Sequence, residues 1–310
     1  LALEEGRLRT DDPTWLYIPA WGDHGKKELI SIRHLATHSS GLEDAEQDGI
    51  PHMELPGWKG RFWRRDPDPF TPAIHDAPVL FPPGTEYAYS NPGVASLAYA
   101  ITSSLPAGGN IRSLLKERVM DPLQIAEEEW SIGYGQGYEV DGMELYGAWG
   151  GGSFSPRAVS RIGQWMLQRG NWEGRQLVAP EWVDRVSRYA GTPLPSRTPE
   201  NPEPGSGLGW WVNFDRVWER LPADAFAGAG AGQQLLLVVP SLSLVVVRNG
   251  GMLTEPGEGL GFWGGIEEFI FNPLMDAIPD YAPGEGLRWS TPYPPSPWIE
   301  RIQFAEKDEI

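Results

Sequence analysis

Cysteine is absent from the 310 residues. Its absence excludes disulfides, thiolate-ligated zinc and a cysteine nucleophile, and it leaves the compartment open. Long apolar runs are missing too, and none approaches the length of a membrane-spanning helix. Basic residues are scarce: 25 Lys and Arg against 42 Asp and Glu give a formal charge of -17, which makes nucleic acid and anionic membrane surfaces poor partners. No Gly-Lys-Ser/Thr follows Gly150-Gly151-Gly152, so those glycines are expected to allow close backbone packing and not to cradle phosphate. His34 and His38 are four apart on a helix predicted over 30–38, but neither has the adjacent Glu of a His-Glu-x-x-His motif, and no third ligand is evident. No metal and no cofactor are expected. The chain opens on LALEEGRL without a methionine or a signal peptide, which reads as the tail of an amphipathic helix cut from a longer protein.

What is present is ordinary globular composition, with 40% hydrophobic and 22% charged residues, enough for a substantial core and two lobes. Residues 43–80 carry many Pro, Asp and Trp with little periodicity. They are expected to form a long surface excursion in which Trp58, Phe62 and Trp63 either line a substrate entrance or pack the excursion's own core. Helical periodicity is read after Asn91, over 111–119, 156–168 and 180–189. Residues 191–205 contain five prolines and read as a boundary or lid loop. From Gly207 the pattern turns to strands, GLGWWVNF, QQLLLVVP and SLSLVVVRNG, with a hairpin turn at Pro240-Ser241. A closing helix is expected over 263–275, and a proline- and glycine-rich linker follows toward a possible further module.

The stretch that organises the chain is Phe81–Asn91, FPPGTEYAYSN. Pro82-Pro83-Gly84 sets a bend, Tyr87 and Tyr89 alternate with small residues, and Pro92 opens the apolar helical run VASLAYAI. A Tyr-x-Asn triplet is thus mounted where an extended segment meets the first turn of a buried helix. Tyrosine can serve as a general base when nearby positive charge lowers its pKa, and an amide can orient a nucleophile or a carbonyl.

Six blocks in order, LALEEGRLRTDDP, ISIRHLATHSSGL, FPPGTEYAYSNPG, WGGGSFSPRAVSRIGQWML, GLGWWV and AGAGQQLLLVVPSLSLVVVRNGG, resemble the serine β-lactamase-related family over roughly residues 1–275. That family takes in class C β-lactamases, penicillin-binding-protein-like enzymes, D-aminopeptidases, esterases and amide hydrolases. The resemblance implies an α+β fold: an antiparallel sheet flanked by helices plus a mostly helical lobe, with the first strands and the nucleophile helix absent from this chain. The expected division is 1–29 as the remnant of an N-terminal helix and turn, 30–200 as the helical lobe, 201–278 as the sheet and closing helix, and 279–310 as the linker. It implies a small ester or amide substrate, acyl-enzyme chemistry, no cofactor, and a catalytic role for Tyr89 with Asn91. Export from the cytoplasm is plausible for such a family.

Two departures stand out. The chain's single Ser-x-x-K, Ser113-Leu114-Leu115-Lys116, lies downstream of the tyrosine in a stretch matching a peripheral helix, so the nucleophile is expected about three helical turns before Leu1. The segment Ala227–Gln233, AGAGAGQ, falls where the family carries Lys-Thr-Gly or His-x-Gly on the strand edging the active site. Gly230, Gly232 and Gln233 are the candidates for substrate and oxyanion binding there, and the missing cation weakens the case for carboxylate-bearing substrates. Two other readings are a non-catalytic relative used as a binding scaffold and, from the 15 tryptophans, a glycan-binding module.

Overall fold

The structure, a computed structural model, describes residues 1–22, 25–254 and 259–278. The expected linker over 279–310 and the module beyond it lie outside the described residues.

Leu1–Gly6 closes as a turn in which the Glu5 amide donates to the Leu1 carbonyl and the Arg7 amide to that of Ala2. Helix α1 (Ile32–Ala36) is capped reciprocally, the His34 amide donating to Ser31 Oγ and the Ser31 amide to His34 Nδ1. It is shorter than predicted. His38 lies beyond its end with φ 54°, so His34 and His38 do not share a helix face. Among the described residues no group of three His, Cys, Asp or Glu is arranged to hold a metal.

The excursion over 43–80 is more ordered than its sequence suggests. Helix α2 (Gly57–Arg64) lies within it, and Phe62 and Phe70 are fully buried. Trp63 is buried as well, its indole donating to the Ala45 carbonyl, so two of the three predicted entrance aromatics form core. Helix α3 (Asn91–Ser104) is the central helix of this lobe and buries Ala95, Ala98, Tyr99 and Ala100. Helix α4 (Ile111–Leu115) runs on into a wider turn at Lys116–Met120.

Strands then appear inside the helical lobe that periodicity did not signal, because each is short. Strand β1 (Trp130–Ser131) later pairs with β4 (Ser153–Phe154), while β2 (Gly137–Val140) and β3 (Met143–Tyr146) form a hairpin between them. Helix α5 (Pro156–Leu167), a second small hairpin of β5 (Asn171–Trp172) and β6 (Arg175–Gln176), and helix α6 (Pro180–Val186) follow.

The main sheet has five antiparallel strands, β7 (Gly205–Ser206), β8 (Trp211–Val212), β9 (Phe226–Gly230), β10 (Gln234–Val239) and β11 (Leu244–Arg248), in the order β11-β10-β9-β8-β7. Both faces of β10 are covered, which is why LLLVV reads as an unbroken apolar run. Leu236 and Val238 face the cluster of α5, whereas Leu235, Leu237 and Val239 face Trp263, Phe271 and Met275 of the C-terminal helices, α7 (Phe262–Ile266), the turn behind it and α8 (Asn272–Asp276). Each such leucine removes a side chain from water worth about 2 kcal/mol. Helix α5 sits close on the sheet because position 163 is glycine: a Cβ there would stand 2.5 Å from Val245 Cγ1 and 2.7 Å from Leu236 Cδ1. Helices flanking an antiparallel sheet, with a second, mostly helical region, are the α+β arrangement expected.

Candidate active site

The Tyr-x-Asn triplet straddles the start of α3. Ser90 is the N-cap, its Oγ accepting from the Gly93 amide at 3.0 Å, and Pro92 needs no donor in the first turn. Asn91 is therefore the first helical residue, and Tyr89 stands just outside. A half-buried carboxylate holds this junction. Asp44 Oδ1 accepts from the Ala45 amide at 2.8 Å, from the Asn91 amide at 2.8 Å and from Asn91 Nδ2 at 2.9 Å. Asp44 thus occupies the main-chain N–H of residue 91 and one of the two Nδ2 hydrogens, which leaves the second Nδ2 hydrogen and Oδ1 for a ligand.

Tyr89 lies with its ring 4.4 Å from that of His38, tilted by 30°, and Tyr87 meets the same imidazole edge-on at 6.0 Å. The backbone is stitched alongside: the Ala88 amide donates to the His38 carbonyl at 2.8 Å, and the Ser90 amide points at His38 Nδ1 from 3.5 Å. Nδ1 is therefore the acceptor. Burial drives the His38 pKa down to about 4, so the ring is neutral at pH 7 and carries its proton on Nε2. Tyr87 hydroxyl donates to Glu203 at 2.9 Å, which ties the organising stretch to the proline-rich loop 191–205.

The electrostatics of Tyr89 correct the expectation from sequence. Its pKa is pushed up to about 12, first by burial and then by the carboxylates of Asp44 and Glu46. No cation acts on it among the groups that set this value, so as it stands in this chain Tyr89 is a phenol and not a base. Ser113 and Lys116 supply no substitute. Ser113 Oγ caps α4 through Asn110, accepting its amide at 3.1 Å and donating to its carbonyl at 2.8 Å, while Lys116 pairs with Asp121 at 2.8 Å.

A cleft of about 740 Å³ opens where α4 and the Gly147–Phe154 segment meet the main sheet, and neither Tyr89 nor Asn91 is among the residues that line it. Its lining includes Ile111 and Leu115 of α4, Trp149, Gly150–Gly152 and the Gly228–Ala231 segment. Strand β8 pairs with Phe226 and Ala227 of β9, so among the described residues Gly228–Gly230 has no strand on that side. A Cβ on Gly230 would meet nothing closer than 3.9 Å, so tight packing does not account for this glycine. Gly150–Gly152 differ: a Cβ on Gly151 would fall 2.3 Å from the Tyr134 ring and one on Gly150 2.9 Å from its hydroxyl, the close packing the sequence predicted.

Of the predicted third-motif residues, only Gly230 lines the cleft. Gly232 and Gln233 form the β9–β10 turn with φ of 73° and 55°. The Gln233 side chain is fully buried, donating to the Phe262 carbonyl at 3.1 Å and accepting from the Leu253 amide at 2.7 Å, so it braces the turn. Arg248 stands behind that turn and donates to the carbonyls of Gly232 and Gln233 at 3.0 and 2.9 Å. Sequence reasoning missed Asp44, Tyr134 and Arg65. Tyr134 lies near enough to Tyr89 to raise its pKa, and its own ring carries the Arg65 guanidinium at 3.9 Å. The left-handed Tyr134 within GYGQG was the signal available, a non-glycine residue amid glycines at a tight turn.

An antiparallel sheet flanked by helices, with a tyrosine at the head of a buried helix and an open glycine strand across a cleft, defines the class of β-lactamase-like and penicillin-binding-protein-like folds. The Beta-lactamase family profile matches residues 1–249, and the chain belongs to that family. A beta-lactamase of Pseudomonas fluorescens is 28% identical over 158 residues, covering 46% of this chain and 37% of its own length, so the chain spans about a third of that relative. Among solved structures, a protein of Bacteroides dorei assigned as a beta-lactamase has a TM-score of 0.62 at 15% identity, covering 87% of this chain and 79% of that one. One of Bacillus anthracis assigned as a 6-aminohexanoate-dimer hydrolase has a TM-score of 0.59 at 16% identity, with 88% and 68% covered.

Proposed function

We propose that this chain is a part of a serine hydrolase that cleaves a small ester or amide through an acyl-enzyme, and that its nucleophilic serine and partner lysine come from a segment preceding Leu1. The observation that carries this reading is the apolar-walled cleft of about 740 Å³ bounded by the open edge of β9. Leu1 packs against the same apolar cluster as Leu115, and Leu115 also lines the cleft, which supports a preceding segment that reaches it. The family's other members supply the chemistry by analogy.

In that reading the serine Oγ attacks the substrate carbonyl while its proton passes to the lysine–Tyr89 pair. A backbone N–H at the end of β9 receives the developing oxyanion, Asn91 orients the acyl group, and Tyr89 returns the proton to the leaving group. Water then repeats the sequence on the acyl-enzyme. The lysine supplies what the structure lacks, a positive charge that offsets Asp44 and Glu46 and brings the Tyr89 pKa down from about 12. The two lobes, about 30–200 and 201–278, would hold the substrate between them.

The direct test joins the upstream segment of the natural protein to this chain and assays a p-nitrophenyl ester and a chromogenic cephalosporin. Turnover, with covalent labelling by a fluorophosphonate at an upstream serine, is the expected result. A well-folded restored protein that neither turns over nor labels would overturn the reading. The raised pKa of Tyr89 favours one rival, a non-catalytic relative serving as a binding domain, and an upstream segment without Ser-x-x-Lys would decide for it.

A further inference from the structure

A second cavity, of about 480 Å³, shares no lining residue with the cleft. It opens where the short turns Pro19–Trp21 and Gly25–Leu29 meet the turn Pro72–Asp76, with Trp21, Ile74 and Val79 as an apolar wall beside Lys26 and Lys27. Lys27 is half-buried and its amine is held from one side. Nζ donates to the Ile74 carbonyl at 2.6 Å, an oxygen that also accepts from the Trp21 indole at 3.0 Å, and it stands 5.7 Å from the centre of that indole. No carboxylate forms an ion pair with it among the described residues, and Asp76, which acts on it from a distance, is taken up by Arg61 at 2.7 Å. Burial outweighs Asp76 and brings the Lys27 pKa down to about 8. Lys59 and Lys116 differ, each paired at 2.8 Å with a carboxylate, Glu43 and Asp121. Lys26 is exposed. An amine that donates to a carbonyl directs its lone pair elsewhere, and near pH 8 the uncharged half of the Lys27 amines can attack an electrophile.

We propose that Lys27 is a covalent acceptor for a small aldehyde with an apolar body and an anionic tail, the body seated against Trp21 and Ile74 and the tail toward Lys26. The amine nitrogen adds to the carbonyl carbon, and the carbonyl oxygen takes up the proton that the nitrogen sheds. Loss of that oxygen as water, with the second nitrogen-bound proton, leaves an imine, so amine and aldehyde give imine and water with no oxidant or reductant. The chargeable groups around the amine are Lys26 and His75 on the cavity wall, Asp76, and Glu28 of its own turn, which is exposed and outside the lining. Because Arg61 holds Asp76, Lys26 is left to draw the anion into a cavity of a chain whose formal charge is -17. The capture is independent of the hydrolase reading, since cavity and cleft have no residue in common.

The experiment equilibrates the 310-residue chain with an equimolar amount of pyridoxal 5′-phosphate at pH 8, reduces any imine with borohydride and quantifies the modified peptides by mass spectrometry. Lys27 is expected to carry more than about tenfold the label of Lys26, because an ordinary lysine, with a pKa of about 10.4, has less than about 1% of its amine free at that pH. The Leu1 α-amine, whose pKa burial also lowers, is the internal competitor. Label on Lys27 should climb from pH 6.5 and level off above about 8. Pyridoxal, which lacks the phosphate, should label Lys27 about tenfold less at equal concentration, the scale of one charge-assisted contact. Lys27→Arg keeps the charge and a donor toward Ile74 and should remove the dominant label, whereas Lys26→Ala should keep the label but erase the advantage of the phosphate. Label spread evenly over the lysines, heavier label on Leu1, or equal reaction of pyridoxal and its phosphate would each overturn the proposal. A restored protein without esterase activity would count against the hydrolase reading and leave this result standing.

Discussion

At the scale of single residues, the site divides between groups that hold and a group that reacts. In the restored protein, Tyr89→Phe is expected to lower turnover by about 10² to 10⁴, the usual contribution of a positioned acid or base. The thermal midpoint should hardly change, because the ring and its contact with His38 remain. Full turnover in the phenylalanine variant returns Tyr89 to a packing role. Asp44→Ala should behave oppositely. It leaves the Asn91 amide donors without their acceptor and is expected to cost about 1 to 3 kcal/mol in urea unfolding, with any loss of activity following the loss of folded protein. Tyr89 and Asn91 were legible because a tyrosine, an asparagine and a helix-opening proline stand together in the sequence. Asp44 was not: it lies 47 positions before Asn91, and nothing in its own surroundings distinguishes it from a surface aspartate. The fixing of Gln233 inside the turn was hidden for the same reason, since its partners Phe262 and Leu253 are distant in sequence.

At the scale of elements, two contacts make quantitative expectations. Gly163→Ala would normally favour a helix by about 1 kcal/mol, but here the added methyl meets Val245 and Leu236. The net outcome should be a destabilisation of about 1 to 2 kcal/mol as α5 is pushed off the sheet, and a gain in stability would show that the contact relaxes freely. The second concerns pH. His34 and His38 both have folded pKa values of about 4 against an ordinary 6.5, because burial disfavours their charged forms. Below pH 6.5 the unfolded chain takes up protons that the folded chain refuses, so this contribution is complete above 6.5 and is lost as pH falls toward 4. Urea midpoints at pH 7, 5.5 and 4.5 should decline in that order, and His38→Gln should flatten the decline. Strands β10 and β11 were legible from their apolar runs and α3 and α5 from their periodicity. The two-residue strands were not, because a period of two cannot be seen in two residues. Helix α2 escaped because Trp, Arg and Gly mask its repeat.

At the scale of the whole molecule, the cleft and the outer side of β11 leave apolar and hydrogen-bonding surface without a partner among the described residues. The 310-residue chain is expected to self-associate with rising concentration in sedimentation velocity and to melt broadly, and the restored protein to run as a smaller, sharply melting species. A cooperative, monomeric melt of the 310-residue chain would refute this. The same chain should show no fluorophosphonate labelling, since Ser113 is engaged in capping α4.

The open edge of β9 bears on how this site can be mapped at all. If the group that meets the oxyanion is a main-chain N–H near Gly230, it is present whatever side chain the position carries. An alanine scan of Gly228–Ala231 would then pass over the catalytic strand in silence, and so would natural sequence drift. Only removal of the donor itself, by Ala231→Pro or by replacing one amide with an ester linkage, would register.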